Sequence, residues 1–398
     1  MKSNYRNIGD FIKLVDERNK GLKVTNLVGL SISKQFIKSV ANTIGTDMEN
    51  YKIIRKNQFA CSTMQVRRDK KMPLALYNDS EPAIISQAYP VFEINDTSQL
   101  LPEYLMMWFT RTEFDREACF HAVGGVRGSL EWEDFCGMQL PIPTIEKQHE
   151  IVSEYNTIQN RIALNNQLIS KLEETAQAIY KQWFVDFEFP FSDTEALEVT
   201  EKPKGYKSAG GKMVWCEELE KEIPEGWEVG NLDEMIEVKY GKDYKHLEKG
   251  NIPLYGSGGI MDYVNKALYD KPTILIPRKG SLNNILFLNI PFWSVDTMFY
   301  SILKKEYNGT YVFYYLTAID FNSLNVGSAV PSMTTNYLNN MKIIKPSEKI
   351  LIKFDKLIRR IFSQIDFKRN QNQKLEELKD LLLAKMTRVE SGIETVVR

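Results

Sequence analysis

Between Ile145 and Trp183 apolar residues recur at alternating steps of four and three. Ile151, Tyr155, Ile158, Ile162, Asn165, Ile169, Leu172, Ala176, Ile179 and Trp183 form one seam with a single polar position, Asn165. That period predicts a long helix packed against another helix. At about 1.5 Å per residue it would run roughly 57 Å. No proline lies between Thr144 and Phe189. A second proline-free stretch, from Glu348 to about Arg388, carries its own seam of Phe354, Ile358, Ile361, Ile365, Lys368, Asn372, Leu375 and Leu382. Were the two helices antiparallel and centred, Asn165 would face Lys368, a polar pair that costs stability and fixes register.

The remaining segments read differently. Residues 1–143 carry short strand-like runs (Tyr51–Ile54, Ala83–Ser86, Tyr89–Ile94) and one predicted helix over Pro102–Phe120, with proline in its first turn. They end in a glycine loop, Val123–Ser129, and then Met138–Pro143. After the first seam comes a stretch rich in Pro, Gly and Ser over 187–213. Residues 214–345 again alternate short strands and turns, ending in Val326–Ser332 and Met341–Pro346.

The halves are related by an offset of 203 residues: Gly124 maps to Gly327, Met138 to Met341, Pro143 to Pro346, Ile162 to Ile365 and Leu172 to Leu375. Upstream, Ile8–Ile12 (IGDFI) resembles Leu232–Ile236 (LDEMI). The repeat keeps the helices and lets the globules diverge. The expected fold is therefore α+β: two α/β globules separated by two long antiparallel helices that form a coiled coil, with an internal pseudo-two-fold repeat. The expected divisions are 1–143, first globule; 144–190, central helix; 191–213, linker; 214–345, second globule; and 346–398, C-terminal helix.

The formal net charge of −1 over 398 residues argues, on its face, against a nucleic-acid partner. The total conceals a split. Residues 144–205 hold six Lys and Arg against eleven Asp and Glu, and 346–398 hold twelve against eight. Opposite charge on two apolar seams favours their pairing. The four cysteines are scattered without a C-x-x-C, and the amino terminus has no apolar run of signal-peptide type, so a cytoplasmic protein is expected.

The runs Tyr180–Phe191 (YKQWFVDFEFPF) and Gly205–Val229 (GYKSAGGKMVWCEELEKEIPEGWEV) resemble the specificity subunits of type I restriction–modification systems. So do Leu140–Ile151, with Gln148 at the family's usual glutamine, and the two-fold arrangement. The second copy departs there, with Leu351 in place of glutamine. The resemblance covers the whole chain. It implies that each globule is a target recognition domain reading one half of a bipartite, asymmetric site on double-stranded DNA. It implies that the helices set the spacing and dock two modification subunits, which carry the S-adenosylmethionine site. Two restriction subunits would add ATP- and magnesium-dependent cleavage. No catalysis and no cofactor is expected in this chain, and no membrane association.

DNA contact needs cations for phosphates and planar or amide groups for base edges, on loops that enter a groove. In the second globule the candidates are Lys239, Lys242, Tyr244, Lys245 and His246; Tyr255 and Ser257 in a glycine turn; and Arg278, Lys279, Asn283 and Asn284 after an apolar run. In the first they are Lys34 and Gln35, the cluster Arg67, Arg68, Lys70 and Lys71, and Arg127 in its glycine loop. Each competes with a reading as a merely solvated loop. Trp183, Phe184 and Phe187 are candidates for subunit docking, against a plainer reading as core.

Enzyme readings fare worse. Asn289–Phe292 (NIPF) departs from the aminomethyltransferase pattern, and no glycine-rich strand-to-helix turn with a following acidic residue precedes it. The histidines His121, His149 and His246 are isolated. A DNA-binding or coiled-coil adaptor acting outside a restriction complex is the alternative.

Overall fold

The computed structural model describes residues 5–39, 45–124, 128–190, 205–323 and 333–386. Arg127, most of the stretch 191–213 and the glycine loop 326–332 lie outside them. The chain divides into two compact units, residues 1–165 with 370–398, and residues 166–369. The cut passes through both long helices, so the second unit is nested inside the first in sequence.

In the first unit a four-stranded antiparallel sheet has the spatial order Ile12–Val15, Val91–Ile94, Phe59–Cys61, Leu74–Leu76. In the second the order is Ile236–Tyr240, Met298–Leu303, Thr273–Pro277, Leu286–Leu288, also antiparallel. The two sheets have the same topology. A short 3₁₀ turn precedes each first strand, at Ile8–Asp10 and Leu232–Glu234. Each turn is tied to the strand that leads into a long helix, through Ile8 N–H to the Met138 carbonyl at 2.8 Å and Leu232 N–H to the Met341 carbonyl at 2.9 Å. A buried tyrosine repeats too. The Tyr104 hydroxyl donates to the Pro141 carbonyl at 3.2 Å, and the Tyr311 hydroxyl to the Ile344 carbonyl at 2.7 Å. The repeat read from sequence thus extends into the globules, in hydrogen bonds that fix where each long helix begins.

The single helix expected over Pro102–Phe120 is two, Pro102–Phe109 and Thr112–His121. At the break the Thr110 hydroxyl donates back to the Met107 carbonyl at 2.7 Å, a local bond that competes with helix continuation. Arg111 turns extended, with ψ 144°, and covers the Trp108 ring at 4.5 Å.

The central helix runs Ile145–Tyr180, and the C-terminal helix Glu348–Lys385. Every position of the first seam from Ile151 to Trp183 is buried or half-buried, while its neighbours are largely exposed. Gln148 is fully buried at the start of the central helix. Its amide oxygen accepts from Leu101 N–H at 2.9 Å, and its nitrogen donates to the Gln99 and Pro143 carbonyls at 2.8 and 3.0 Å. In the second unit Leu351 is buried in the apolar core.

Within each unit the two helices run antiparallel. In the first, Asn165 Nδ2 donates to Asn372 Oδ1 at 2.8 Å and Gln371 Oε1 at 3.1 Å, while Ile151 and Val152 share a core with Leu383 and Met386. In the second, Glu173 pairs with Arg369 at 2.8 Å, and Trp183 packs on Phe354 with ring centroids 5.7 Å apart. The polar partner of Asn165 is therefore Asn372 with Gln371, not the expected Lys368. Each helix is anchored by its own globule, so register is set at the ends rather than by centring the seams.

After Tyr180 the helix widens into a π turn, Lys181–Val185, closed by Asp186 N–H to the Lys181 carbonyl at 2.9 Å. A π turn shifts the helical phase. Adjacent Trp183 and Phe184 both point inward and meet Phe354, and Phe184 also packs, tilted, against Tyr311 and Trp227.

Replacing Gln148 by Leu strands the buried Leu101 N–H and removes the donor from the part-buried Gln99 and Pro143 carbonyls. The first unit should lose about 2–4 kcal/mol of stability, read by urea denaturation. A change under about 0.5 kcal/mol, the range of ordinary surface substitutions, would show that these bonds do not hold the helix start.

Candidate nucleic-acid interface

Strand register brings loops together at one end of each sheet. In the second unit Tyr240 pairs with Phe299 and Pro277 with Met298. The segments following Tyr240, following Pro277 and preceding Met298 therefore emerge side by side. In the first unit Val15 and Ala60 both pair with Val91, which sets out the same three loops. The clusters Arg67–Lys71 and Arg278–Asn284 each follow the third strand in spatial order, so two basic patches picked out separately in sequence occupy equivalent places in the two sheets.

Backbone geometry in the second unit is tight. A Cβ on Gly241 would come 2.0 Å from the Val295 carbonyl oxygen, so only glycine lets this loop cross its neighbour. Gly280 has φ +83°, and a Cβ there would meet Ser257 Oγ at 2.7 Å. The Asn284 amide donates to the Ser257 carbonyl at 2.9 Å, linking the glycine turn to the Arg278 loop. Lys242 is exposed, held by its N–H on the Ser294 carbonyl at 2.8 Å and by the Trp293 indole on its own carbonyl at 3.0 Å. Lys245 and Lys279 are exposed. His246 is exposed with its ring 5.7 Å from Trp293. Lys239 is half-buried and paired with Glu237. Tyr244 packs against the cluster of Leu254, Val264 and Trp293.

Several sequence candidates turn out to be structural. Tyr255 is only 7% exposed, and burial pushes its phenol above the ordinary value. Its ring packs in a buried cluster with Leu275, Phe292 and Met298 rather than standing on the loop surface. Asn283 donates to Asp320 Oδ1 at 2.7 Å and accepts from Phe321 N–H at 2.9 Å, so it clamps a loop. Trp183, Phe184 and Phe187 are buried in the second unit's core, and the docking expectation for them gives way to packing.

In the first unit Gln35, Lys70 and Lys71 are exposed. Arg67 directs both terminal nitrogens to the carbonyls of Ala122 at 2.7 Å and Gly124 at 3.2 Å. Arg68 grips Asp69 through Nε and Nη2. Lys34 is 9% exposed, with φ +62° in a hairpin turn. Its ammonium meets Asp115 Oδ1 at 2.8 Å, the Phe109 carbonyl, and the Phe114 ring face at 5.0 Å. Burial pulls its pKa below the ordinary lysine value, and Asp115 opposes that. The expected DNA contact is instead an internal strut. Its partner Asp115 lies 81 positions away in sequence, beyond the reach of local pattern.

Sequence reasoning passed over Tyr240, 51% exposed at the end of its strand. Its ring lies 5.5 Å from the Arg278 guanidinium and 5.0 Å from Phe299. The signal was present as an aromatic between Lys239 and Lys242. Among the described residues no three His, Cys, Asp or Glu side chains gather to hold a metal, and no helix is long and apolar enough to cross a membrane.

Duplicated sheets with cationic loops at one end, each joined to a long helix, define a class of two-headed recognition proteins. Residues 6–174 and 224–380 match the profile of the type I restriction modification DNA specificity domain, and the chain belongs to that family. It is 25% identical over 284 residues to the type I restriction enzyme MjaIX specificity subunit of Methanocaldococcus jannaschii, across 65% of this chain and 61% of that protein. It is 23% identical over 403 residues to the HindI specificity subunit of Haemophilus influenzae, across 84% and 86%. The fold resembles that of a type I restriction–modification S subunit from M. genitalium, with TM-score 0.59 and 17% identity over 96% of this chain and 95% of that one.

Replacing Lys34 by Ala leaves Asp115 buried without its cation. It should cost about 3–5 kcal/mol in denaturant unfolding, and a double Lys34→Met, Asp115→Leu variant should cost less. Weaker DNA binding by Lys34→Ala with unchanged stability would return Lys34 to the interface.

Proposed function

We propose that this chain is the DNA-reading subunit of a type I restriction–modification complex, each unit reading one half of a bipartite, asymmetric sequence. The observation that carries the reading is the duplicated sheet with a basic loop after the same strand in both copies. Shared framework supports one mode of docking on DNA, and divergent loops support two different half-sites. The bulk of the affinity comes from the assembled complex, since a chain of net charge −1 neutralises few phosphates by itself.

The long helices act as the spacer and as the dock for two modification subunits. Exposed apolar side chains such as Leu378 and Leu381 on the C-terminal helix suit such a dock, because apolar patches on soluble surfaces mark interaction sites. The modification subunits supply S-adenosylmethionine chemistry, and two restriction subunits supply cleavage driven by ATP and magnesium. This chain contributes position rather than catalysis, and works in the cytoplasm.

The test is methylation mapping. The chain purified with its modification subunits should methylate one split sequence in random DNA, with two specified halves and an unspecified gap. Methylation by the chain alone, or no sequence preference in the complex, would overturn the reading.

A further inference from the structure

The Arg278 guanidinium is held by its backbone, by one carbonyl and by an aromatic ring, and among the described residues one of its edges meets no acceptor. Its strand, Thr273–Pro277, is buried along its whole length. The Arg278 N–H donates to the Thr297 carbonyl and its carbonyl accepts from Met333 N–H, both at 2.8 Å. Nη1 donates to the Asp296 carbonyl at 3.1 Å. Its Cζ lies over the Tyr240 ring, 5.5 Å from the centroid. That ring is braced edge-to-face by Phe299 at 5.0 Å, and its hydroxyl lies 3.5 Å from Thr335 Oγ1. Among the described residues no acceptor meets Nε or Nη2. Arg67 and Arg68, by contrast, have their forks occupied by carbonyls and by Asp69.

A planar fork with two parallel free donors matches the O6 and N7 acceptors of guanine in the major groove. The cation–π contact with Tyr240 and the bond to Asp296 restrain the group before DNA arrives, which lowers the ordering cost of binding. A lysine would lack both the fork and the plane.

We propose that Arg278 reads a guanine in the half-site of the second unit through its Nε and Nη2 edge, and that Tyr240 is the positioning residue holding that edge at the groove. The proposal rests on the two-headed reading and adds the base class and the residue pair. Lys242 and Lys279, exposed on neighbouring loops, bind phosphates and carry no base preference.

The experiment uses the chain assembled with its modification subunits, and duplexes carrying the mapped sequence with each base pair of both half-sites substituted in turn. Arg278→Gln should reduce discrimination at one G·C pair roughly 5- to 150-fold, and leave the other half-site, an internal control for folding, unchanged. Placing 7-deazaguanine at that pair, which removes N7, should weaken the parent protein but not the variant. Tyr240→Phe should preserve base preference, and Tyr240→Leu should relax it at the same pair. Uniform weakening on all sequences by Arg278→Gln would make Arg278 a phosphate contact and overturn the proposal while the two-headed reading stands. Relaxation at a pair other than G·C, or unchanged preference in Tyr240→Leu, would also overturn it. Loss of preference at both half-sites in Arg278→Gln would overturn the two-headed reading itself.

Discussion

Each unit is closed by a helix contact between residues roughly two hundred positions apart in sequence. Asn165 meets Asn372 and Gln371 in one unit, and Glu173 meets Arg369 in the other. Because the second unit is nested inside the first, the first unit is not built from one continuous segment. Its core takes Leu383 and Met386 from the far end of the chain. Completing that core requires the last helix, a long loop closure. Asn165 is the weak point of the seam. It is fully buried, and among the described residues its Oδ1 has no hydrogen-bond partner, so it costs stability where an apolar residue would not. A polar position that disfavours slipped registers gives it a use.

The globules follow from the same constraint. A recognition loop can present a cation reproducibly only if its own backbone is fixed, and here the fixing is done from beneath. Buried strands end at Pro277 and Cys61, a paired strand ends at Tyr240, and glycine at 241 lets one loop pass close over another. Tyr104 and Tyr311 tie each globule to the strand that leads into its helix. Sheet, loop and helix are thus mechanically continuous within each unit.

Much of this was legible in sequence, because the signals were periodic. The seam positions are buried as their spacing required, and IGDFI and LDEMI occupy the same turn in both copies. What was not legible depended on long-range pairing. Lys34 looks like any hairpin lysine until Asp115 arrives beneath it. Tyr255 stands next to a polar-looking glycine turn but its ring belongs to a buried cluster with Leu275, Phe292 and Met298. Trp183 and Phe184 look like a surface docking pair in sequence, but both lie in the π turn and are buried in the second unit's core. The break at Arg111 depended on a threonine hydroxyl turning back on its own helix. Asn165 found Asn372 rather than Lys368 because the globules, not the midpoints of the seams, set the register.

The central claim is that the paired helices measure distance while the globules read bases. Inserting one helical turn at matched points in both helices, within the register that pairs Asn165 with Asn372, tests it most directly. Sequencing of methylated DNA from the assembled complex should then show a changed gap between half-sites with the bases in each half unaltered. An unchanged gap, or altered bases in either half, would contradict the account.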